Sequence, residues 1–283
     1  LCDTLETVDP NALAMPRPPS HESPARSRPA FRPRGYTLVE LLVTIAIVAV
    51  LVALLIPAIR GAVSSARGFR CQMSLRSTAF DFSLFADDTL HPPRGDDAHD
   101  LPPNTFRVET FQDQQYGVDE FWAYGNVASI TLPDSQGRDP MRCAEVRGPL
   151  TLRRNAPCLS GGVGPAENVS FAFNARLHWS DALVRADRPA QVLLTSAILT
   201  AASVERVPLV FDVDGVAAAA AGQPGLLSAP ALGTDGLFAD DALWFPSLRH
   251  SGAMNTAFLD GSVAASRRPL AETAWGWGFD PGR

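Results

Sequence analysis

The sequence predicts an α+β protein in which one long N-terminal helix, part membrane span and part amphipathic stem, packs on a mostly antiparallel β head. Three observations predict it. From Leu41 to Ile59 no residue is charged and only Thr44 is polar. At about 1.5 Å per residue, a helix from Leu38 to Ile59 covers the roughly 30 Å hydrocarbon thickness of a bilayer. Beyond that span, Ile59, Val63, Ala66, Phe69, Met73, Phe80 and Leu84 recur mostly at three- and four-residue steps, the stripe of a continuing helix. After residue 90 the apolar residues fall instead into short β-branched or aromatic runs bounded by Gly, Pro, Asn or Asp.

Taken in order, residues 1–35 read as a leader. Pro16, Pro18, Pro19, Pro24, Pro29 and Pro33 exclude a helix there. The chain opens on Leu1, and Met15 offers a second start that gives a shorter basic leader. Residues 36–59 form the transmembrane helix and residues 60–90 the stem, which His91-Pro92-Pro93 stops near Asp87 or Asp88. Residues 91–283 form the globular head. Its strand candidates are Asn126 to Leu132, Asn168 to Asn174, Gln191 to Ala197 and Val204 to Val213. Ser160 to Gly164 reads as a loop, and Ala217 to Gly222 as a connector or one short helix. Thr256 to Leu259 and Ser262 to Ala265 read as strands joined by Asp260-Gly261, a type I′ hairpin signal in which both turn residues take positive φ.

Glu40 is the anomaly of the apolar segment, since a carboxylate within a membrane span costs free energy unless a partner neutralises it. The segment G-YTLVE-LLVTIAIVAVLVALLIPAI from Gly35 resembles the cleavage and methylation signal of type IV prepilins and of the pseudopilins of type II secretion. The resemblance implies cleavage after Gly35 by a prepilin peptidase and N-methylation of Tyr36. It also implies a role for Glu40 in assembly and methylation, through pairing with the N-terminal amine of a neighbouring subunit. Such pairing offsets the desolvation of both charges. Pro57 falls where such helices carry a proline, and Tyr36 stands where the family usually has phenylalanine. The fold implied is pilin-like. The place implied is a single pass of the inner (cytoplasmic) membrane with the head outside the cytoplasm, and from there a pilus-like filament.

A second resemblance lies at the other end. In FPSLRHSGAMNTAFLDGSVAA, His250 precedes Asp260-Gly261 by nine residues, which resembles the C-terminal H-x9-DG signature of a planctomycete-type group of prepilin-like proteins. RGFRCQMSLRS around Cys71, MRCAE around Cys143 and NVSFAFNARL resemble further segments of that group. His250 and Asp260 admit a catalytic or metal-binding role, or a structural one with His250 bonding across the hairpin and Asp260 holding its turn. The structural role is the expectation, because one His and a turn Asp lack a nucleophile, paired oxyanion donors or a third ligand. With no G-x-S-x-G, H-E-x-x-H or phosphate loop in the chain, no enzyme is expected.

No cofactor is expected, with Ca²⁺ the one candidate. Asp212-Val213-Asp214-Gly215 sets two carboxylates beside a turn glycine, with Asp235, Asp240 and Asp241 as further oxygens. The loop carrying His91, Asp96, Asp97, His99 and Asp100 matches no ligand spacing and reads as a solvated turn. Cleavage at Gly35 leaves Cys71, Cys143 and Cys158. Cys143–Cys158 closes a short loop and is the disulfide candidate, while Cys71–Cys143 would tie stem to head; sequence does not choose between them. Trp275 and Trp277 are read as cover for the core. All 24 basic residues are arginine, and with 30 acids the net charge is −6. That balance argues against nucleic acid as a partner. The expected partners are the prepilin peptidase, the membrane and other pilin-like subunits contacted through the N-terminal helix. A membrane-anchored, extracytoplasmic ligand-binding domain is the alternative.

Overall fold

The computed structural model describes residues 35–90, 102–116, 129–132, 142–146, 148, 150–153, 166–167, 169–185, 188–223, 226–233 and 236–282. The chain divides into two compact units, Leu1–Ala53 and Leu54–Arg283. Helix α1 (Leu38–Leu90) begins in the first and ends in the second, with Pro57 inside it.

In the first unit every described side chain is exposed. The helix is apolar all round here, which fits a lipid environment rather than one buried face. It is long and apolar enough to cross a membrane. Its start is a capping box. The N-cap residue Thr37 accepts the Glu40 backbone N–H on its hydroxyl at 3.2 Å, and Glu40 accepts the Thr37 backbone N–H at 2.8 Å. The Thr37 hydroxyl also donates to Glu40, at 2.9 Å.

In the second unit, α1 buries Cys71, Leu75, Thr78, Ala79, Phe82, Ala86 and Leu90. This corrects the stripe expected from sequence. Ile59, Val63, Ala66, Phe69, Met73, Phe80 and Leu84 are exposed, Phe69 by 65%. The stem therefore has two apolar faces. The buried one is rich in small residues, which let the head approach the helix closely. Among its larger residues, Phe82 meets Phe106 and Phe111 at 5.7 and 5.1 Å between ring centroids, mostly edge-on. Phe111 in turn meets Phe173 at 5.8 Å. Phe111 lies on α2 (Val108–Tyr116).

The head is built on a five-stranded sheet in the order β10-β9-β7-β4-β8. Its strands are β4 (Phe171–Asn174), β7 (Pro208–Asp212), β8 (Leu227–Ser228), β9 (Met254–Phe258) and β10 (Val263–Ser266). All its pairings are antiparallel except β4 with β8. Strands β4, β7 and β9 are buried along their whole length, so both sheet faces are covered. Phe171 and Phe173 point into the main core with the stem residues, and Ala172 between them into a second cluster. That second cluster holds Phe211, Phe258, Trp275 and Trp277, so both tryptophans are core cover. A three-stranded sheet, β1 (Ser129–Leu132), β2 (Leu150–Arg153) and β3 (Ala166–Glu167), and the hairpin of β5 (Trp179–Arg185) with β6 (Arg188–Gln191) complete the described strands.

The α+β, pilin-like layout stands, with boundaries moved by capping. Gln191 to Ala197 is not a strand beyond Gln191. The Thr195 hydroxyl accepts the Ile198 N–H at 3.3 Å and starts α3 (Ser196–Val204), whose alanines and leucine favour helix. Val204 therefore ends a helix, and β7 opens only at Pro208, after Arg206 turns the chain at φ 52°. Ala217 onward is helical in α4 (Gly215–Ala220), capped by Asp214. The helix needs glycine at 215, because a Cβ there would lie 2.4 Å from the Val169 carbonyl oxygen. The stem runs to Leu90, slightly past Asp88.

Candidate functional site

Among the described residues of the second unit, polar side chains gather at a buried junction where stem, head loop and sheet meet. Strand β7 ends on Asp212, fully buried. Its Oδ2 accepts the Asn255 backbone N–H of β9 at 2.9 Å and lies 3.4 Å from His250 Nε2. Its Oδ1 lies 3.7 Å from Arg249 Nε. Arg249 also donates to the carbonyl oxygens of Ser170 and Val213, at 2.9 and 2.6 Å. Burial pulls the Arg249 pKa down, and the carboxylates of Asp212, Asp214 and Glu145 pull it up. A buried carboxylate and guanidinium together cost far less than either alone.

A tight turn aims His250 inward. Ser251 and Gly252 both take positive φ, 55° and 80°, and His250 and Ala253 exchange backbone hydrogen bonds across them. Positive φ at both central positions is what a type I′ turn requires, and Ser-Gly is a turn dipeptide. The imidazole is thereby held against the stem. A Cβ on Gly68 would lie 3.6 Å from His250 Nδ1. Glu145 Oε2 lies 3.7 Å from the same nitrogen, and Cys143 Sγ lies 3.3 Å from Nε2.

Cys143 is bonded to Cys71 of the stem, with Cα atoms 4.9 Å apart. The Cys143–Cys158 candidate is thus replaced by Cys71–Cys143, while Cys158 lies outside the described residues. Proximity decides it. Cys71 sits on the buried stripe of α1, and the Cys143 backbone N–H donates to the Ser170 hydroxyl, which docks the loop beside it. The Ala144 N–H donates to Cys71 Sγ at 3.1 Å, and Gln72 donates to the Asn255 side chain at 3.0 Å.

His250 and Asp260 do not meet. Asp260 lies at the other end of β9, where its Oδ1 accepts the Ser262 N–H at 2.8 Å. Nor is Asp260-Gly261 a type I′ pair. Of the two only Gly261 has positive φ, at 77°. Gly261 N–H donates to the Phe258 carbonyl and Phe258 N–H to that of Ser262, which makes Leu259-Asp260-Gly261 a three-residue loop with glycine in the left-handed position. The structural role expected for Asp260 thus holds at its own turn, while the partners of His250 are Asp212, Glu145 and the disulfide. Sequence reasoning missed those partners; the Ser251-Gly252 dipeptide was the one local signal for the ring's direction.

Asp212 and Asp214 serve the fold from where they stand. Asp214 Oδ1 accepts the Val216 and Ala217 N–H groups at 3.1 Å each, and Asp212 faces Arg249 and His250. Neither belongs to a group of three or more ligating side chains among the described residues; Cys71, Cys143 and His250 do. Asp241 Oδ1 accepts the Ala231 N–H at 2.8 Å. Asp235, the Ser160 to Gly164 loop and the residues from His91 to Asp100 lie outside the described residues. Gly35 and Tyr36 precede α1, and both are exposed.

The layout is pilin-like: among the described residues one helix is long and apolar enough to cross a membrane, and it continues into an α+β head. More particularly, residues 31–56 match the prokaryotic N-terminal methylation motif, a stretch containing Gly35, Tyr36 and Glu40. No curated protein and no solved structure matches the chain.

Proposed function

We propose that the chain is a structural subunit of a type II secretion or type IV pilus-like envelope assembly. In this reading a prepilin peptidase cuts it after Gly35 and N-methylates Tyr36, and its head lies outside the inner membrane. The match at residues 31–56 carries the reading, because a plain anchor has no need of Gly35 and Glu40 at that spacing. The capping box adds a physical detail. In the lone chain the Glu40 carboxylate is satisfied by Thr37, so a neighbour's N-terminal ammonium would replace a local hydrogen-bond pair and the carboxylate would at no stage lack a partner. The exposed stripe of the stem offers adjoining subunits an apolar face that the head does not use. The reading gives the head no catalytic role: among the described residues no hydroxyl nucleophile stands beside His250, and Ser251 is exposed on its turn.

The test is the mass and N-terminal sequence of the protein from native membranes, with Gly35→Val alongside. A wild-type chain beginning at N-methylated Tyr36, with the variant uncut, is expected. A wild-type chain that keeps its leader overturns the proposal. Glu40→Ala is expected to leave the protein in the membrane and outside any assembly. Unchanged assembly would favour an anchored ligand-binding domain.

A further inference from the structure

We propose that Cys71, Cys143 and His250 form a metal site, a Cys2His centre for Zn²⁺ in the dithiol state of the protein, which closes to the observed disulfide on oxidation. The two sulfurs and one imidazole nitrogen already lie within 4.8 Å of one another. Tetrahedral zinc, with bonds of about 2.3 Å to sulfur and 2.0–2.1 Å to nitrogen, places neighbouring S and N ligands roughly 3.5 Å apart. Cys143 Sγ and His250 Nε2 stand at 3.3 Å, so that edge of the tetrahedron is in place. Only the sulfurs need to move, from bonded contact to a separation of roughly 3.8 Å. Asp212 Oδ2 lies 3.4 Å from the same nitrogen.

The surroundings fit a thiolate–imidazole centre. The Ala144 N–H on Cys71 Sγ is a donor suited to sulfur carrying negative charge. When Nε2 binds a metal, Nδ1 must carry the proton, and that nitrogen is buried with no hydrogen bond of its own. Glu145 stands 3.7 Å from it, in the position of the outer-shell carboxylate that fixes the tautomer of metal-bound histidines.

The two states are linked by ordinary exchange. One cysteine thiolate attacks a sulfur of an external protein disulfide and expels a thiolate. The other cysteine thiolate then attacks the mixed disulfide, forming the Cys71–Cys143 bond and expelling the second. Two electrons pass to the external disulfide, and the ion leaves as Zn²⁺. In both states the stem is tied to the head through the same three residues.

The test uses the full chain in detergent, in a Cys2→Ser, Cys158→Ser background so that only these two thiols remain. It is reduced with a phosphine, freed of the reductant, and titrated anaerobically with Co²⁺. One Co²⁺ per chain is expected, with thiolate-to-cobalt charge-transfer bands, the visible bands of tetrahedral cobalt, and displacement by Zn²⁺. The disulfide form should show none of these. His250→Gln should lose the tetrahedral spectrum. Glu145→Gln, which removes no ligand, should weaken binding by roughly ten- to a hundredfold. Absence of a charge-transfer band in the reduced chain, folded or not, overturns the proposal, as does an affinity unchanged by Glu145→Gln. Should His250→Gln fail to fold, Glu145→Gln alone decides.

Discussion

The stem helix presents two apolar faces, and only one belongs to the head. Cys71, Leu75, Ala79, Phe82 and Ala86 are buried, whereas Phe69, Met73, Phe80 and Leu84, over the same turns, are exposed. Both sets recur at helical spacing, so periodicity detects each of them. What separates them is size and company. The buried face alternates small residues with the larger Leu75, Phe82 and Leu90, which suits close packing on a sheet. Over these turns the exposed face carries only large side chains. A helix apolar on opposite sides can serve two contacts, and the head accounts for one of them.

The largest effect should come from the head-facing side. Phe82 is almost fully buried and rests on Phe106 and Phe111. Phe82→Ala should destabilise the head by about 3–5 kcal/mol. For a unit of this size that is a fall in melting temperature on the order of 10 °C, read by circular dichroism. A fall of one or two degrees would mean that the stem is not part of the head's core. Cys71→Ser tests the same seam covalently. With the bonded cysteines 72 residues apart, the chain-entropy model gives about 4 kcal/mol. The loss should appear as a lower melting temperature that reductant lowers no further.

Those two residues also show where sequence is legible. The helix, its membrane-length first half, the N-terminal methylation motif and the C-terminal hairpin are local patterns of spacing and composition, and each is legible. The buried face was not, because amphipathic reading assumes one apolar stripe and this helix has two. The stripe that stands out in the sequence carries the larger apolar residues, whereas the head packs on the one with more small residues. The site around His250 was hidden for another reason. Cys71, Cys143, Asp212 and His250 are brought together by sheet order and a disulfide, and none of those contacts has a sequence signature. At Thr195 a capping hydroxyl favours helix while the β-branched neighbours favour strand, and the cap prevails.

A middle-sized effect belongs to the turn after β9. Gly261 holds φ at 77°, where a side chain is strained though nothing crowds it. Gly261→Ala should cost about 1–2 kcal/mol, visible as a small shift in a denaturant midpoint. Gly261→Asn should recover part of it, since asparagine tolerates that conformation. Equal stability of all three would mean that the loop relaxes into another turn. Neither variant should disturb His250, which lies at the opposite end of β9 on its own Ser251-Gly252 turn.

The smallest stability effect, and the one that separates the two faces most cleanly, is expected at Phe80. The residue is 59% exposed. Phe80→Asp should therefore change head stability by no more than about 0.5 kcal/mol. Two residues on and on the opposite face, Phe82→Ala removes several. If the exposed face packs against neighbouring subunits, Phe80→Asp should still remove the chain from high-molecular-weight assemblies, because burying an unpaired carboxylate at an apolar contact is strongly unfavourable. Cross-linking in native membranes followed by sizing reads this directly. A variant that melts like wild type yet fails to assemble assigns the face to a partner. One that melts and assembles like wild type leaves the stripe as solvent-exposed surface and confines subunit contact to the segment before Ile59.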